Sequence, residues 1–191
     1  LPPTIQSEEA ARGGLARTLF ERLMESPHGA TIGRMLTVQY RMHERIMGWP
    51  SARLYGGKLV AAAAVRSHLL TDLPGVATNE WTEHPLCFVD TAGCGHDESV
   101  GDDDGSKSNA GEAGVVVRVV QSLREAGVAA AHIAVVTPYN AQVQMLRERL
   151  GGEVDLEIGS IDGLQGREKE AVVVSLVRSN EKGDVGFLAE L

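Results

Sequence analysis

An α/β domain with a mostly parallel sheet is what this sequence predicts, and three observations predict it. Residues 133–137 (IAVVT) and 170–177 (EAVVVSLV) are near-continuous apolar, β-branched runs, the pattern of strands buried on both faces of a parallel sheet. The first runs through Pro138-Tyr139-Asn140 into a helix with Val143, Leu146 and Leu150 on one side, and strand, loop, helix is the order of α/β architecture. With 191 residues and 43% hydrophobic content, the chain can bury the core of one ordinary domain and a small appendage.

In chain order, Gly14 to Glu25 places Leu15, Leu19, Leu23 and Met24 at helical spacing, which predicts a packing helix. Residues 34–38 are a short apolar run leading into Gln39-Tyr40-Arg41-Met42. Residues 43–55 read as helical through Ile46, Met47 and Leu54. Pro50 removes a bond and clashes there at roughly 3 kcal/mol, so a kink or two short helices are expected, with Pro50 opening the second. Residues 86–90 (LCFVD) read as a strand, with Cys87 a small buried thiol within it. Residues 96–109 are rich in Gly, Asp and Ser without apolar periodicity and read as a mobile loop. Asn109 and Glu112 fit a helix N-cap and its reciprocal partner, Val116, Val119, Val120 and Leu123 supply that helix's buried face, and Gly127 supplies its stop.

The formal charge of -8 argues against a globally basic nucleic-acid binder. Five acids, Asp97, Glu98, Asp102, Asp103 and Asp104, lie in one short stretch with Gly101 and Gly105 and read as a solvated insertion, which leaves about -3 for the rest and room for a local basic groove. Two cysteines, Cys87 and Cys94, make no disulfide framework and point to a reducing compartment. No signal-like or spanning apolar run is present, so the chain reads as intracellular with no membrane partner. His84, Cys87, Cys94 and His96 are zinc-competent, but their spacing matches no paired-knuckle pattern, and no metal site is expected.

Two short stretches carry chemistry. Residues 160–169 set Gly163 and Gly166 among a hydroxyl, two carboxylates, an amide and two cations. That composition suits a loop whose backbone approaches a ligand, and an ordinary connecting turn fits the spacing as well. Tyr40-Arg41 pairs a flat π-face, able to pack on a base, with a planar cation that matches phosphate bidentately; a surface ion pair is the everyday role of such an arginine.

Ser160 to Glu170 (SIDGLQGREKE), with the apolar run and Val177-Arg178-Ser179-Asn180 behind it, resembles motif V and its continuation in superfamily 1 helicases of the up-frameshift and immunoglobulin-mu-binding-protein type. Gln39 to Met42, followed by Ile-Met-x-Trp-Pro-Ser and Tyr55-Gly56-Gly57-Lys58-Leu59, resembles motif IV of that family. Thr137-Pro138-Tyr139-Asn140-x-Gln142 resembles its segment between motifs IV and V, and Leu1-Pro2-Pro3 the residues that follow motif III.

The resemblance implies a RecA-like three-layer domain. Residues 1–30 become a lead-in from the first RecA-like domain with its packing helix. Residues 31–191 become the second RecA-like domain, incomplete at its C-terminal end and interrupted by the acidic loop 96–109. The implied activity is that of an ATP-dependent helicase with 5′ to 3′ polarity on single-stranded RNA or DNA, in cytoplasm or nucleus. Tyr40 is expected to stack on adenine and Arg41 to reach the γ-phosphate, while Gly166 and Glu168 face the nucleotide, Glu168 near the ribose hydroxyls. Thr137, Pro138 and Tyr139 are expected on the nucleic-acid backbone, with Ser160 and Gln165 as further contacts and Asp162 supporting the loop or touching the strand. The Mg2+ ligands, the general base and the phosphate cradle belong to the first domain. No G-x-x-x-x-G-K-[ST] occurs in these 191 residues, so alone the chain is expected neither to hydrolyse ATP nor to unwind a duplex.

Two rival readings follow from the residues. A metal-dependent nuclease would centre on Asp162, Glu168 and Lys169, but adjacent residues of an extended segment point to opposite faces. A non-catalytic helicase-like module that binds nucleic acid or a protein uses the same surface without turnover.

Overall fold

The computed structural model describes residues 5, 7–101 and 105–189; Leu1-Pro2-Pro3 and Asp102 to Asp104 of the acidic loop lie outside these. The chain divides into two compact units, Leu1–Val38 and Gln39–Leu191. Among its described residues the first holds three short helices, α1 (Glu8–Arg12), α2 (Leu19–Met24) and α3 (Gly29–Ile32). The predicted packing helix begins five residues late, because Gly14 takes a positive φ and Thr18 starts the helix anew. The Thr18 hydroxyl accepts from the Glu21 amide at 3.1 Å, and the Glu21 carboxylate accepts from the Thr18 amide at 2.7 Å. Leu15, Leu19 and Leu23, expected on a packed face, are exposed.

The second unit opens at Gln39, the last residue of β1 (Val38–Gln39), whose carbonyl accepts from the Ala62 amide next to β2 (Val60–Ala61). Between them α4 runs unbroken over Glu44–Leu54 with Pro50 inside, not as two helices. Only one bond is forfeited at Pro50, and both ends are tied: the His43 ring accepts from the Arg45 amide, and the Ser51 hydroxyl donates to the Leu59 carbonyl.

The core is built on α5 (Ala110–Glu125), β5 (Ile133–Thr137), α6 (Asn140–Leu150), β6 (Glu157–Ser160) and β7 (Ala171–Val174). The sheet order is β6-β5-β7, with both pairings parallel, so the chain is an α/β protein whose parallel strands are flanked by helices. On one face Val135 packs with Val116, Val120 and Leu146, and Ile133 with Val119, Leu123 and Val128. Ala134, Val136, Val172 and Val174 point the other way, into a cavity of about 710 Å³ also lined by Trp81, Leu86 and Phe88. Gly127, at φ +101 behind α5, is the predicted stop, and a side chain there would meet the Gly75 carbonyl.

The run 86–90 is not a strand in this structure, and Cys87 is an exposed thiol facing the Glu80 carbonyl. Phe88 is 85% exposed. The apolar pattern is local, whereas a strand needs an edge to pair with, and the run lies beside the cavity without joining the sheet.

The predicted solvated loop is also different. Residues 99–100 (β3, Ser99–Val100) and 107–108 (β4, Lys107–Ser108) form an antiparallel hairpin. At its base Glu98 is buried, not solvated. Its carboxylate takes hydrogen bonds from Arg178 Nε (2.8 Å), Lys107 Nζ (2.9 Å), the Ser179 amide (3.0 Å) and Asn180 Nδ2 (3.2 Å). Burial alone would raise its pKa, but the bonds from Arg178, Lys107, Asn180 and Ser179 outweigh that and hold it at about 2.

Behind β7 the chain turns sharply. Val177 is fully buried with φ +72, and the Arg178 amide reaches back to the Leu176 carbonyl at 2.8 Å, a γ-turn. Such a conformation costs a β-branched residue on the order of 1–3 kcal/mol and persists only when its surroundings over-determine it. Glu112 supplies that: its two oxygens accept from the Leu176 (2.9 Å) and Val177 (2.7 Å) amides. Asn109 caps α5 as predicted, accepting from the Glu112 amide, but Glu112 does not reach back to close a capping box. The Asn109 amide donates instead to Gln142 Oε1 at 2.8 Å.

Leu146→Ala is expected to cost about 2–5 kcal/mol in urea unfolding, and Val174→Ala under about 0.5 kcal/mol. The Glu98 carboxyl titrates lower in the folded chain than its ordinary value near 4.5, so its stabilisation is complete above that pH and is lost as pH falls toward about 2. Glu98→Gln should therefore lower the urea midpoint at neutral pH and flatten its decline between pH 4.5 and about 2; parallel declines in the two proteins would contradict the assignment.

Candidate nucleotide and nucleic-acid site

Gln39 organises the turn that carries Tyr40 and Arg41. Its Oε1 accepts from the Arg41 (2.8 Å) and Met42 (2.7 Å) amides while its Nε2 donates to the Met42 carbonyl (2.6 Å). Both side chains are thrown outward: Tyr40 is 74% exposed, and the Arg41 head group is free of the core. Sequence reasoning passed over Gln39. Its signal, a long amide opening a four-residue turn, is faint beside the aromatic and the cation that follow.

The glycine loop starts where β6 ends. Ser160 Oγ accepts from the Gly163 amide at 3.2 Å, a short helical turn covers Asp162–Leu164, and Gly166 takes φ +84, a region costly for any residue with a Cβ. Asp162 and Gln165 are exposed. The loop is pinned to the sheet by Glu157, which pairs with Arg167 and with Lys169 Nζ at 3.3 Å, while Lys169 also donates to the Ala131 carbonyl at 2.6 Å. Between those two cations Glu168 points away and meets Arg41 Nε at 2.9 Å. That contact joins residues 127 apart in sequence and sets the tyrosine-arginine turn beside the glycine loop.

The third predicted segment lies next to the loop through the sheet: Thr137 is the Cα partner of Ser160 across β5 and β6. Carboxyl ends of parallel strands are where ligands gather in such sheets. Within this segment the structure sorts the residues. Thr137 is 0% exposed with its hydroxyl unpartnered among the described residues, so in this structure that side chain is out of reach of a polymer. Tyr139 is buried, its hydroxyl 3.4 Å from Arg178 Nη1, and it caps the core, one of the two roles its residue type allows. Pro138 is half-buried and Asn140 exposed, so the surface offered here is Asn140 and backbone.

Among the described residues no group of three or more His, Cys, Asp or Glu side chains could hold a metal ion. The zinc-competent side chains diverge: Cys87 faces the Glu80 carbonyl and the His96 ring covers Gly111. Glu168 and Lys169, the proposed core of a nuclease, also go to different partners.

The AAA domain family (AAA_12) matches residues 15–191. The DNA-binding protein SMUBP-2 of Rattus norvegicus is 55% identical over 191 residues, covering 100% of this chain and 19% of that protein. The DNA polymerase alpha-associated DNA helicase A of Schizosaccharomyces pombe is 44% identical over 196 residues, 100% of this chain and 29% of its own. The human DNA replication ATP-dependent helicase/nuclease DNA2 is 31% identical over 208 residues, 98% and 19%. The chain thus spans a fifth to three-tenths of these relatives' lengths. Among its described residues no helix is long and apolar enough to cross a membrane. By the match over residues 15–191, the chain belongs to the AAA domain family.

Proposed function

We propose that this chain is the second RecA-like domain of a superfamily 1 helicase motor, closing on ATP from the side opposite the phosphate cradle and carrying part of the single-strand track. The observation that carries the reading is the 2.9 Å contact between Arg41 and Glu168, which sets the two predicted nucleotide-facing segments side by side. Both head groups are largely exposed, and an exposed pair is worth only about 0.2–1 kcal/mol. A triphosphate can therefore displace Glu168 from Arg41, leaving the arginine on the γ-phosphate and the carboxylate free to accept from ribose hydroxyls. Tyr40, outside the core, offers its ring to the adenine. The donor set suits a nucleotide but not its metal, and the Mg2+ that accompanies ATP is assigned to carboxylates of the first RecA-like domain, together with the general base.

Single-stranded RNA or DNA lies across the strand ends in this reading, held by Ser160, Gln165, Asp162 and the backbone of residues 137–140, with Asn140 in place of the buried Thr137 and Tyr139 side chains. Helicases among the relatives support the motor reading. Closure on ATP and reopening after hydrolysis shift these contacts along the strand through the difference in affinity between the two states. The family resemblance assigns 5′ to 3′ polarity.

The test uses a protein that joins this chain to a first domain with intact Walker motifs. Arg41→Ala should lower kcat for ATP by ~10³ or more, the range of an arginine acting on phosphoryl transfer. Tyr40→Ala should raise KM for ATP with kcat little changed, as lost uniform binding does. The chain alone should show no magnesium-dependent ATP hydrolysis. Hydrolysis by the chain alone that survives Arg41→Ala would refute the assignment; strand binding by the joined protein without turnover would make it a non-catalytic module.

A further inference from the structure

We propose that the single strand continues beyond the strand ends into a polar groove along α6, where Gln144 and Arg147 are additional contacts to its phosphodiester backbone. This rests on the nucleic-acid reading above and extends it to residues that reading does not use.

The groove has a volume of about 620 Å³, and its head is formed by Asn140, Ser160 and Gly163. It therefore opens from the place where the two track segments meet. From there Asn140, Gln144 and Arg147 follow one another at i, i+4 and i+7 along a single stripe of α6, all exposed. From Asn140 to Arg147 the stripe runs ~10 Å along the helix. Opposite it lies the outer edge of β6, where the Leu164 side chain lies over Gly159.

Charge decides the ligand. Two carboxylates line the groove and both are already matched: Glu157 by Arg167 and Lys169, and Glu153 by Arg124 at 3.0 Å. Arg147 is different. It donates one hydrogen bond, to the Ile158 carbonyl at 2.8 Å, and forms no ion pair among the described residues. Its charge is left for a ligand, and a guanidinium on a polar wall is a phosphate contact. No aromatic lines the groove, so it offers no platform for stacked bases and favours the backbone without sequence preference. A peptide strand adding to the edge of β6 is disfavoured, because Arg147 already occupies the Ile158 carbonyl.

The experiment is fluorescence anisotropy of labelled oligo-dT and oligo-U on this chain across a salt series, with Gln144→Lys, Gln144→Glu and Arg147→Gln. The Gln144 side chain is exposed and makes no hydrogen bond among the described residues, so its two variants remain informative if Arg147→Gln loosens β6. Gln144→Lys should tighten binding at least about threefold at low salt and steepen the plot of log K against log salt by ~0.7. Gln144→Glu should weaken binding by a similar factor, and Arg147→Gln should weaken it and flatten the slope by ~0.7. Affinity and slope unchanged by both Gln144 variants, in a chain that does bind, would overturn the groove and leave the track across the strand ends standing. No binding by the unsubstituted chain would overturn that track and the groove together.

Discussion

Glu112 stands in the first turn of α5, yet its carboxylate is spent on two amides, of Leu176 and Val177, just past the end of β7. The chain needs this because a buried valine has to turn through φ +72 there, a conformation that nothing local would keep. Around the same turn, Asn109 Nδ2 holds the Val177 carbonyl at 3.1 Å, and Gln142 bridges Asn109 to Ser175. Arg178, the next residue, runs into the pocket built by Glu98 and the hairpin. A hydrogen-bonded network of this kind, much of it shielded from water, is worth more than its separate bonds and fixes one arrangement. It fastens α5, α6 and the hairpin to the carboxyl ends of β5 and β7, so it sets where the candidate site's walls can stand.

What the sequence showed depended on how far apart the causes lie. Strand β5 was legible because burial on both faces leaves an apolar run in the strand itself; β7 carries the same kind of run although Val172 and Val174 are exposed on its second face, and the α5 cap was legible because Asn109 and the amide it accepts from are three residues apart. Glu98 was not. In its own stretch it looks like one more acid among glycines and aspartates, and the cation that buries it is 80 residues away. The run 86–90 failed in the opposite sense: its pattern is that of a strand, but pattern supplies only the willingness to pair. Pro50 was overruled by ties at both ends of α4, again partners that no window of sequence displays.

The candidate site divides along the same line. The glycine loop and the tyrosine-arginine turn could be picked out by residue type and resemblance, while the residues that shape them, Gln39 under the turn and Glu157 under the loop, carry no signal of their own. Thr137 and Tyr139 show the reverse error, since a hydroxyl and an aromatic beside a helix start look like ligand contacts until burial is known. Their place in the chain is at the carboxyl end of β5; their side chains face inward from it.

Two kinds of ion pair therefore coexist within this unit, and their difference bears on the proposed motor. Glu98 and Arg178 are both buried, with further bonds on each, so separating them would strand charge away from water. Arg41 and Glu168 stand in solvent with little between them to lose, so a ligand of higher charge can take either partner. A domain that must grip and release a triphosphate in every cycle needs its exchangeable contact on the outside and its permanent one inside. Were the arrangement inverted, with Arg41 locked in a buried network, closing on ATP would require breaking the core that holds the strand ends in place.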